Sequence, residues 1–361
     1  MRRTKVLMCC SDVDSVRGGM VTVVKNYLTC RNWKNVELSF IPTHREGNKL
    51  IKSLYFAVAY LRVAARLLEK KVDLVHLHVA ERGSFYRKAY LVRLCRRLGI
   101  PVVLHHHAAE FEEFYAGLSD RQKEYVKEIL EAADRNLVLS VFLKRKLLEK
   151  APGAKVEILR NAVAAEKRYL YRGDKPRIVM LGRIGERKGS YDLLTAVAQI
   201  RDRLPRDTEL WLCGDGETQK ARRLAAELHI EDMIAHVGWI SGRELQACLK
   251  DAAIHVLPSY REGLPMSILE TMGMGIPNIS TRIASIPEVI RDGETGFLLE
   301  PGDIEGLKTA ILRLLSDKEL RQKISRRSYD LITEEFSLEA SVAKLERLYI
   351  DILGNYRRLK G

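Results

Sequence analysis

Short apolar runs recur along this chain, each followed by a turn and then by a segment with apolar residues at helical spacing. "KVLMCC" (5–10) is the first run, and the glycine turn "SVRGGM" and the helix-like "VTVVKNYLTC" follow it. "VELSFIP" reads as the next strand, and "KLIKSLYFAVAYLRVAARLLEKK" (49–71) as an amphipathic helix with a basic far face. "VDLVHLH" and "IPVVLHHH" have the length of buried strands, with the helical "FYRKAYLVRLCRRLG" between them, and "ADRNLVLS" and "AKVEILRNAV" close this half. Strands that are apolar throughout and alternate with helices predict a parallel sheet covered on both faces.

The pattern then restarts. "PRIVMLGRI" is a strand and turn, "SYDLLTAVAQIRDRL" a helix, and "TELWLCGDG", "IAHVGWI", "AIHVLPS" and "IPNISTR" continue as strands with helices between them. The expected fold is α/β: two doubly wound domains facing a cleft, whose ligands sit at the carboxyl ends of the strands. The polar connection "NAVAAEKRYLYRGDKP" (161–176) marks the break. This gives domains at 1–165 and 166–335, with a final amphipathic helix over 336–361 expected to return to the first. A chain of 361 residues is long for one core, which agrees with two.

Charge separates the halves. Residues 1–165 hold 30 Lys and Arg against 17 Asp and Glu, whereas residues 166–361 hold 31 against 30. Almost all of the net +14 therefore lies in the first half, which suits an anionic partner such as a membrane surface, a phosphorylated lipid or nucleic acid. A generally basic, soluble surface would read the same way. No run is long enough to span a bilayer. The start "MRRTKVLMCC" reads as a basic entry into a strand, with no signal-peptide core. Six scattered cysteines without CxxC or metal spacing suggest reduced core thiols of a cytoplasmic protein.

Four glycine-bearing or helix-entry segments carry the candidate chemistry. In "RGGM" (17–20), Gly18 and Gly19 let the backbone approach a ligand, although a tight βα turn without a ligand fits as well. The chain has neither GxGxxG nor GxxxxGK[ST], which excludes dinucleotide-fingerprint and P-loop readings. In "GRIGERKG" (182–189), Arg183 and Lys188 suit a diphosphate, one as a fork and one as a point charge, or else form a solvated basic loop. "CGDG" (213–216) is another tight strand exit, in which Asp215 could be a turn residue only. In "REGLPMSILE" (261–270), Glu262 precedes a helix whose first turn is Pro265–Met266–Ser267, and Glu270 lies inside it. Free N–H groups of Gly263, Leu264 and Met266 would lie between the two carboxylates, where anionic or hydroxyl-rich ligands bind readily.

Taken in this order, these segments resemble the GT-B glycosyltransferases, specifically the large retaining family 4. "GMGIPNISTRIASIPEVIRDGETGFLLEPGD" (273–303) extends the likeness. It covers almost the whole chain, is most specific from about 178 to 303, and loosens in the first domain. It implies a nucleotide-diphosphate sugar as donor, a UDP- or GDP-sugar, held against the second domain. Glu270 would grip the ribose hydroxyls. Glu262, with the amides of Gly263 to Met266, would face the transferred sugar. Arg183 and Lys188 would neutralise the leaving diphosphate in place of a metal, since no Asp-x-Asp motif sits in a suitable loop. Gly18 and Gly19 would approach the same phosphates as the cleft closes. In "IPVVLHHHAAEF", strand alternation sends His105 and His107 to one face and His106 to the other. His107 falls where the family has its histidine beside the donor sugar, while His105, His106, His76 and His78 read as packing groups. Glu110 is a candidate for orienting an acceptor hydroxyl, and Trp239 either lies near the base or is simply packed. The linker "RNAV", where the family more often has Asn-Gly, is a departure.

The function expected from the resemblance is retaining transfer of a sugar to a hydroxyl acceptor, with no metal cofactor. The acceptor expected is a lipid-linked glycan intermediate of capsule, O-antigen or exopolysaccharide synthesis. The basic helices at 49–71 and 86–99 suit an anionic bilayer, so the enzyme is expected at the inner face of the cell membrane as a peripheral protein. One alternative is a transferase acting on a small soluble acceptor, its phosphate recruited by the basic first half. A basic nucleic-acid-binding protein is a remote alternative, because no nucleic-acid module or stacking strip is present.

Overall fold

The structure, a computed structural model, describes residues 2–164 and 168–358. The chain divides into one compact unit comprising Met1–Ala162 with Leu338–Gly361 and a second comprising Val163–Ser337. The expected boundary at 165/166 lies outside the described residues. The second crossing falls between Ser337 and Leu338, two residues beyond the expected 335/336.

Among the described residues of the first unit, six parallel strands form one sheet: β1 (Thr4–Cys10), β2 (Val36–Pro42), β3 (Leu74–Val79), β4 (Val102–His106), β5 (Arg135–Val138) and β6 (Val156–Ile158). Their order is β2-β1-β3-β4-β5-β6, so the winding reverses between β1 and β3. β3 and β4 are buried along their whole length, which is why their sequences are apolar runs interrupted only by histidine. The helices over Lys49–Leu68 and Val141–Lys150 begin where Asn48 and Ser140 accept hydrogen bonds from the N–H groups of Ile51 and Leu143. The helix Leu338–Arg358 belongs to this unit. Its Glu346 carboxylate accepts from the backbone N–H of Lys34 and of Asn35, both at 2.7 Å, and its Tyr349 is fully buried against β3.

The second unit repeats the architecture with β7 (Arg177–Leu181), β8 (Glu209–Cys213), β9 (Ile234–Gly238), β10 (Ala252–Leu257), β11 (Asn278–Thr281) and β12 (Gly296–Leu299). All pairings are parallel and the order is β12-β11-β10-β7-β8-β9. Here the winding reverses between β7 and β10, both wholly buried. In open parallel sheets the crevice at the carboxyl ends of the two strands flanking such a reversal is where ligands bind. That rule points to the loops after β7 and β10, which contain "GRIGERKG" and "REGLPMSILE".

Candidate active site

In the second unit those two loops are clasped backbone to backbone. The N–H of Tyr260 donates to the carbonyl of Arg187 at 2.9 Å, and the Arg187 guanidinium donates to the carbonyl of Arg261 at 3.1 Å. Gly189 has φ +70°, and a Cβ there would lie 2.1 Å from the Pro258 carbonyl oxygen, so only glycine permits this approach. From beneath, the hydroxyls of Ser280 and Thr281 on β11 donate to the carbonyls of Leu257 (2.8 Å) and Ser259 (2.5 Å), pinning the exit of β10.

This scaffold places Lys188, at the end of a short 3₁₀ turn (Glu186–Lys188), against Glu262: the ammonium donates to Glu262 Oε1. The Ser259 hydroxyl donates to the same oxygen at 2.8 Å. The Lys188 side chain is 13% exposed and that of Glu262 is 6% exposed, so the pair is poorly screened by water. An ammonium has three donors, so sharing one with Glu262 leaves Lys188 able to contact an incoming oxyanion. Arg183 behaves differently. Its side chain is 69% exposed and only approaches Asp215, at 3.9 Å, a surface pairing of little worth. The two cations expected to act as a pair are thus one buried charge locked to a carboxylate and one exposed at the surface.

Gly263, Leu264 and Met266 are buried in the turn that follows Glu262. The helix begins at Met266, with Pro265 as its extended N-cap (ψ 127°) and not its first helical residue, and no side chain caps it. Its first-turn N–H groups are therefore not satisfied by a side chain of their own. Glu270 stands one turn along. Burial raises its carboxyl above the usual range, and among the described residues no side-chain hydrogen bond or ion pair offsets that desolvation. Trp239, just past β9, is 45% exposed, so it is not a core tryptophan.

The first unit holds the other candidates. Gly18 is the N-cap of the helix Gly19–Thr29 with φ +137°, and a Cβ there would meet nothing within 4 Å, so dihedral angle and not crowding calls for glycine. His107 lies one residue past β4, its N–H donating to the Val79 carbonyl at 2.8 Å, and its Nε2 is 2.9 Å from His78 Nδ1. His105 and His107 share a face with His76 and His78, while His106 points to the other face and contacts Asn136 Oδ1 at 2.9 Å. Burial pushes His76 and His107 down to about 3 and His106 to about 4, so these rings are neutral at physiological pH. Glu110 is ion-paired with Arg82 at 3.0 Å.

Among the described residues His76, His78 and His105 offer ligand nitrogens within 4.8 Å of one another. Two of these rings already use a nitrogen within the protein: His76 Nδ1 lies 2.5 Å from the Tyr349 hydroxyl and His78 Nδ1 lies 2.9 Å from His107 Nε2. A functional residue that sequence reasoning missed is His255, the buried polar residue of β10. Its Nδ1 is 2.6 Å from Asn278 Oδ1 and its Nε2 accepts from the Leu181 N–H at 3.3 Å. That assigns the proton to Nδ1 and ties β7, β10 and β11 together beneath the Lys188–Glu262 pair. An isolated histidine inside an apolar run gives no signal of such a role.

Two family models match the chain: "Glycosyltransferase Family 4" over residues 17–167 and "Glycosyl transferases group 1" over residues 164–331. The N-acetyl-alpha-D-glucosaminyl L-malate synthase of Bacillus anthracis is 31% identical over 200 residues, a match that spans only about half of either protein (55% of this chain, 51% of the relative). The UDP-Gal:alpha-D-GlcNAc-diphosphoundecaprenol alpha-1,3-galactosyltransferase of Escherichia coli is 26% identical over 341 residues, covering 89% of this chain and 85% of the relative. The solved structure of sucrose-phosphate synthase from Thermosynechococcus elongatus superposes with a TM-score of 0.79 at 20% identity, over 98% of this chain and all of that one, and so shares the fold. With two Rossmann-like sheets, the two family matches and these relatives, the chain belongs to the GT-B glycosyltransferases of family 4.

Proposed function

We propose that the protein transfers a sugar, with retention of configuration and without a metal, from a UDP- or GDP-sugar to a hydroxyl of a lipid-linked glycan in surface-polysaccharide synthesis. The observation that carries this is the buried Lys188–Glu262 pair at the carboxyl ends of β7 and β10, with the unpartnered Glu270 carboxylate one helical turn beyond. Glu270 offers two acceptor oxygens to the ribose hydroxyls. Lys188 and the exposed fork of Arg183 stabilise charge as it develops on the leaving diphosphate. Glu262 and the Gly263–Met266 amides hold the sugar. No side chain is assigned as a covalent nucleophile; the leaving phosphate assists deprotonation of the acceptor on the face it departs from. His107 and the Gly18–Gly19 turn are the first unit's candidates for substrate contacts.

The lipid part of the proposal is supported by the helix Lys49–Leu68. Leu50, Leu54, Val58, Leu61 and Leu68 are each between 58% and 67% exposed, an apolar stripe that basic residues such as Lys49, Lys52, Arg62 and Arg66 accompany. A leucine stripe beside cations complements an anionic bilayer. Among the described residues no helix is long and apolar enough to cross a membrane. The Escherichia coli relative, by its name, acts on a diphosphoundecaprenol-linked sugar, which favours the same acceptor class. A second reading, a small soluble anionic acceptor, is favoured by the L-malate named for the Bacillus relative. A thermal-shift panel of UDP, GDP, ADP and their sugars tests the donor half: one nucleotide family should raise the melting temperature as its concentration rises. No shift from any of them would refute it.

A further inference from the structure

Among the described residues of the first unit, the Lys88 ammonium has no carboxylate within ion-pair distance. Lys88, on the helix Gly83–Leu98 that follows β3, is 1% exposed, and among the described residues its hydrogen-bond partner is the Thr43 hydroxyl at 2.7 Å. The Thr43 hydroxyl in turn donates a hydrogen bond to the Cys10 carbonyl at 2.9 Å, so the chain of contacts ends on backbone without meeting an anion. The thiols nearest to the ammonium, Cys9 and Cys10, are pushed up to about 12 and 11 by burial and stay protonated. Lys88 itself, lowered to about 8 by burial, still carries its proton at neutral pH. A buried cation without a counter-charge is rare, because desolvation penalises the charge unless a partner offsets it.

Two further polar groups close to Lys88 are unsatisfied. Arg87 Nε and His44 Nδ1 are buried without a hydrogen-bond partner, and both side chains remain partly open to solvent. Burial and then the Arg87 charge drive His44 down to about 4, so it is a neutral donor or acceptor and adds no third cation. The elements involved are the exit of β2 and the helix after β3, which flank β1 at the carboxyl edge of the sheet where its winding reverses. Such an edge is where these sheets take ligands. The nearby Glu46 lies 3.9 Å from His44 Nε2 and 3.4 Å from Lys52, at the start of the leucine-striped helix.

We infer that Arg87 and His44, backed by the buried charge of Lys88, bind a phosphate group of the acceptor substrate. The guanidinium and imidazole make the contacts, and Lys88 beneath supplies charge that solvent cannot screen. Because the site adjoins the first turn of the leucine helix, an amphiphile could anchor its phosphate here and lay its chain along Leu50 and Leu54. This inference rests on the glycosyltransferase reading only for the word acceptor; the anion site stands or fails separately.

The test uses the full chain with saturating UDP present, so that the nucleotide site is filled. Inorganic diphosphate and farnesyl diphosphate are titrated by calorimetry into the wild type, Arg87→Gln and Lys88→Met. Arg87→Gln, on a partly exposed side chain, covers the case in which Lys88→Met fails to fold. The expected result is binding to the wild type that weakens about tenfold or more in Arg87→Gln, with the UDP affinity unaltered. Wild-type diphosphate affinity in Arg87→Gln, or no binding of either probe to the wild type, would overturn the inference. Loss of UDP binding in the wild type would instead sink the donor reading. If farnesyl diphosphate binds more tightly than inorganic diphosphate, and Leu54→Glu removes the difference, the phosphate belongs to a lipid. Equal affinities identify a soluble phosphorylated acceptor.

Discussion

Gly189 and Pro258 meet backbone to backbone, and that contact sets the position of Lys188. A methyl group on Gly189 would lie 2.1 Å from the Pro258 carbonyl oxygen and 2.7 Å from its carbon, neither of which can move without unseating the β10 exit. Gly189→Ala combines this clash with an unfavourable positive φ. It should destabilise the second unit by about 2 kcal/mol or more and lower transfer with it. Urea unfolding monitored through Trp211 and Trp239 checks the stability; an unchanged midpoint would show that the loops are not locked together.

Breaking the Lys188–Glu262 pair should affect stability as well as chemistry. Lys188→Met leaves a nearly inaccessible carboxylate with, among the described residues, only the Ser259 hydroxyl, which costs about 3 kcal/mol. The double variant Lys188→Met/Glu262→Gln removes the orphaned charge and should recover most of that loss while transfer stays abolished. If the double variant is no more stable than the single one, the pair is not electrostatically coupled as the geometry indicates.

Glu270 is expected to trade stability against binding. Burial raises its carboxyl, so ionising it at neutral pH opposes folding. Glu270→Gln should therefore raise the melting temperature of the ligand-free protein while weakening the response to UDP about tenfold. A variant less stable than the wild type, or equally responsive to UDP, would contradict the ribose assignment.

These residues also show what the sequence can and cannot reveal. The wholly buried strands were legible because apolar runs of that length have one interpretation between helices, and the glycines of "GRIGERKG" marked a strand exit. Glu262 and Glu270 stood out as carboxylates around a helix start. What stayed hidden was partnership. Arg183 and Lys188 look equivalent as cations on one loop, yet the 3₁₀ turn sends Lys188 inward to Glu262 and leaves Arg183 in solvent. His255 and Lys88 were hidden for the same reason: a polar residue in a buried element acquires meaning only from neighbours far away in sequence.

Acid should weaken the protein through its buried histidines. His76 and His107 are lowered to about 3, and His106 and His255 to about 4, whereas an unfolded histidine titrates near 6.5. Between those values the unfolded chain binds more protons than the folded one, so stability is full above about pH 6.5 and declines as pH falls toward 4. For one residue such as His255 the loss at pH 5 is about 2 kcal/mol. Calorimetric melting at pH 7.5 and pH 5 measures this; a flat profile would mean that the imidazoles are protonated in place.

The exposed leucine stripe makes a separate prediction. Leu54→Glu and Leu61→Glu, at positions 60% and 67% exposed, should leave the melting temperature unchanged and abolish flotation with vesicles containing anionic lipid. Wild-type protein that stays out of such vesicles at low salt would remove the membrane from the account.

The most direct measurement is calorimetric titration of the matching UDP- or GDP-sugar into the wild type and into Lys188→Met/Glu262→Gln, a variant designed to remain folded. The wild type should bind the activated sugar at one site, and the double variant should lose that binding by at least about a hundredfold. Equal affinity in the two proteins would place the donor elsewhere and contradict the assignment of the β7–β10 edge.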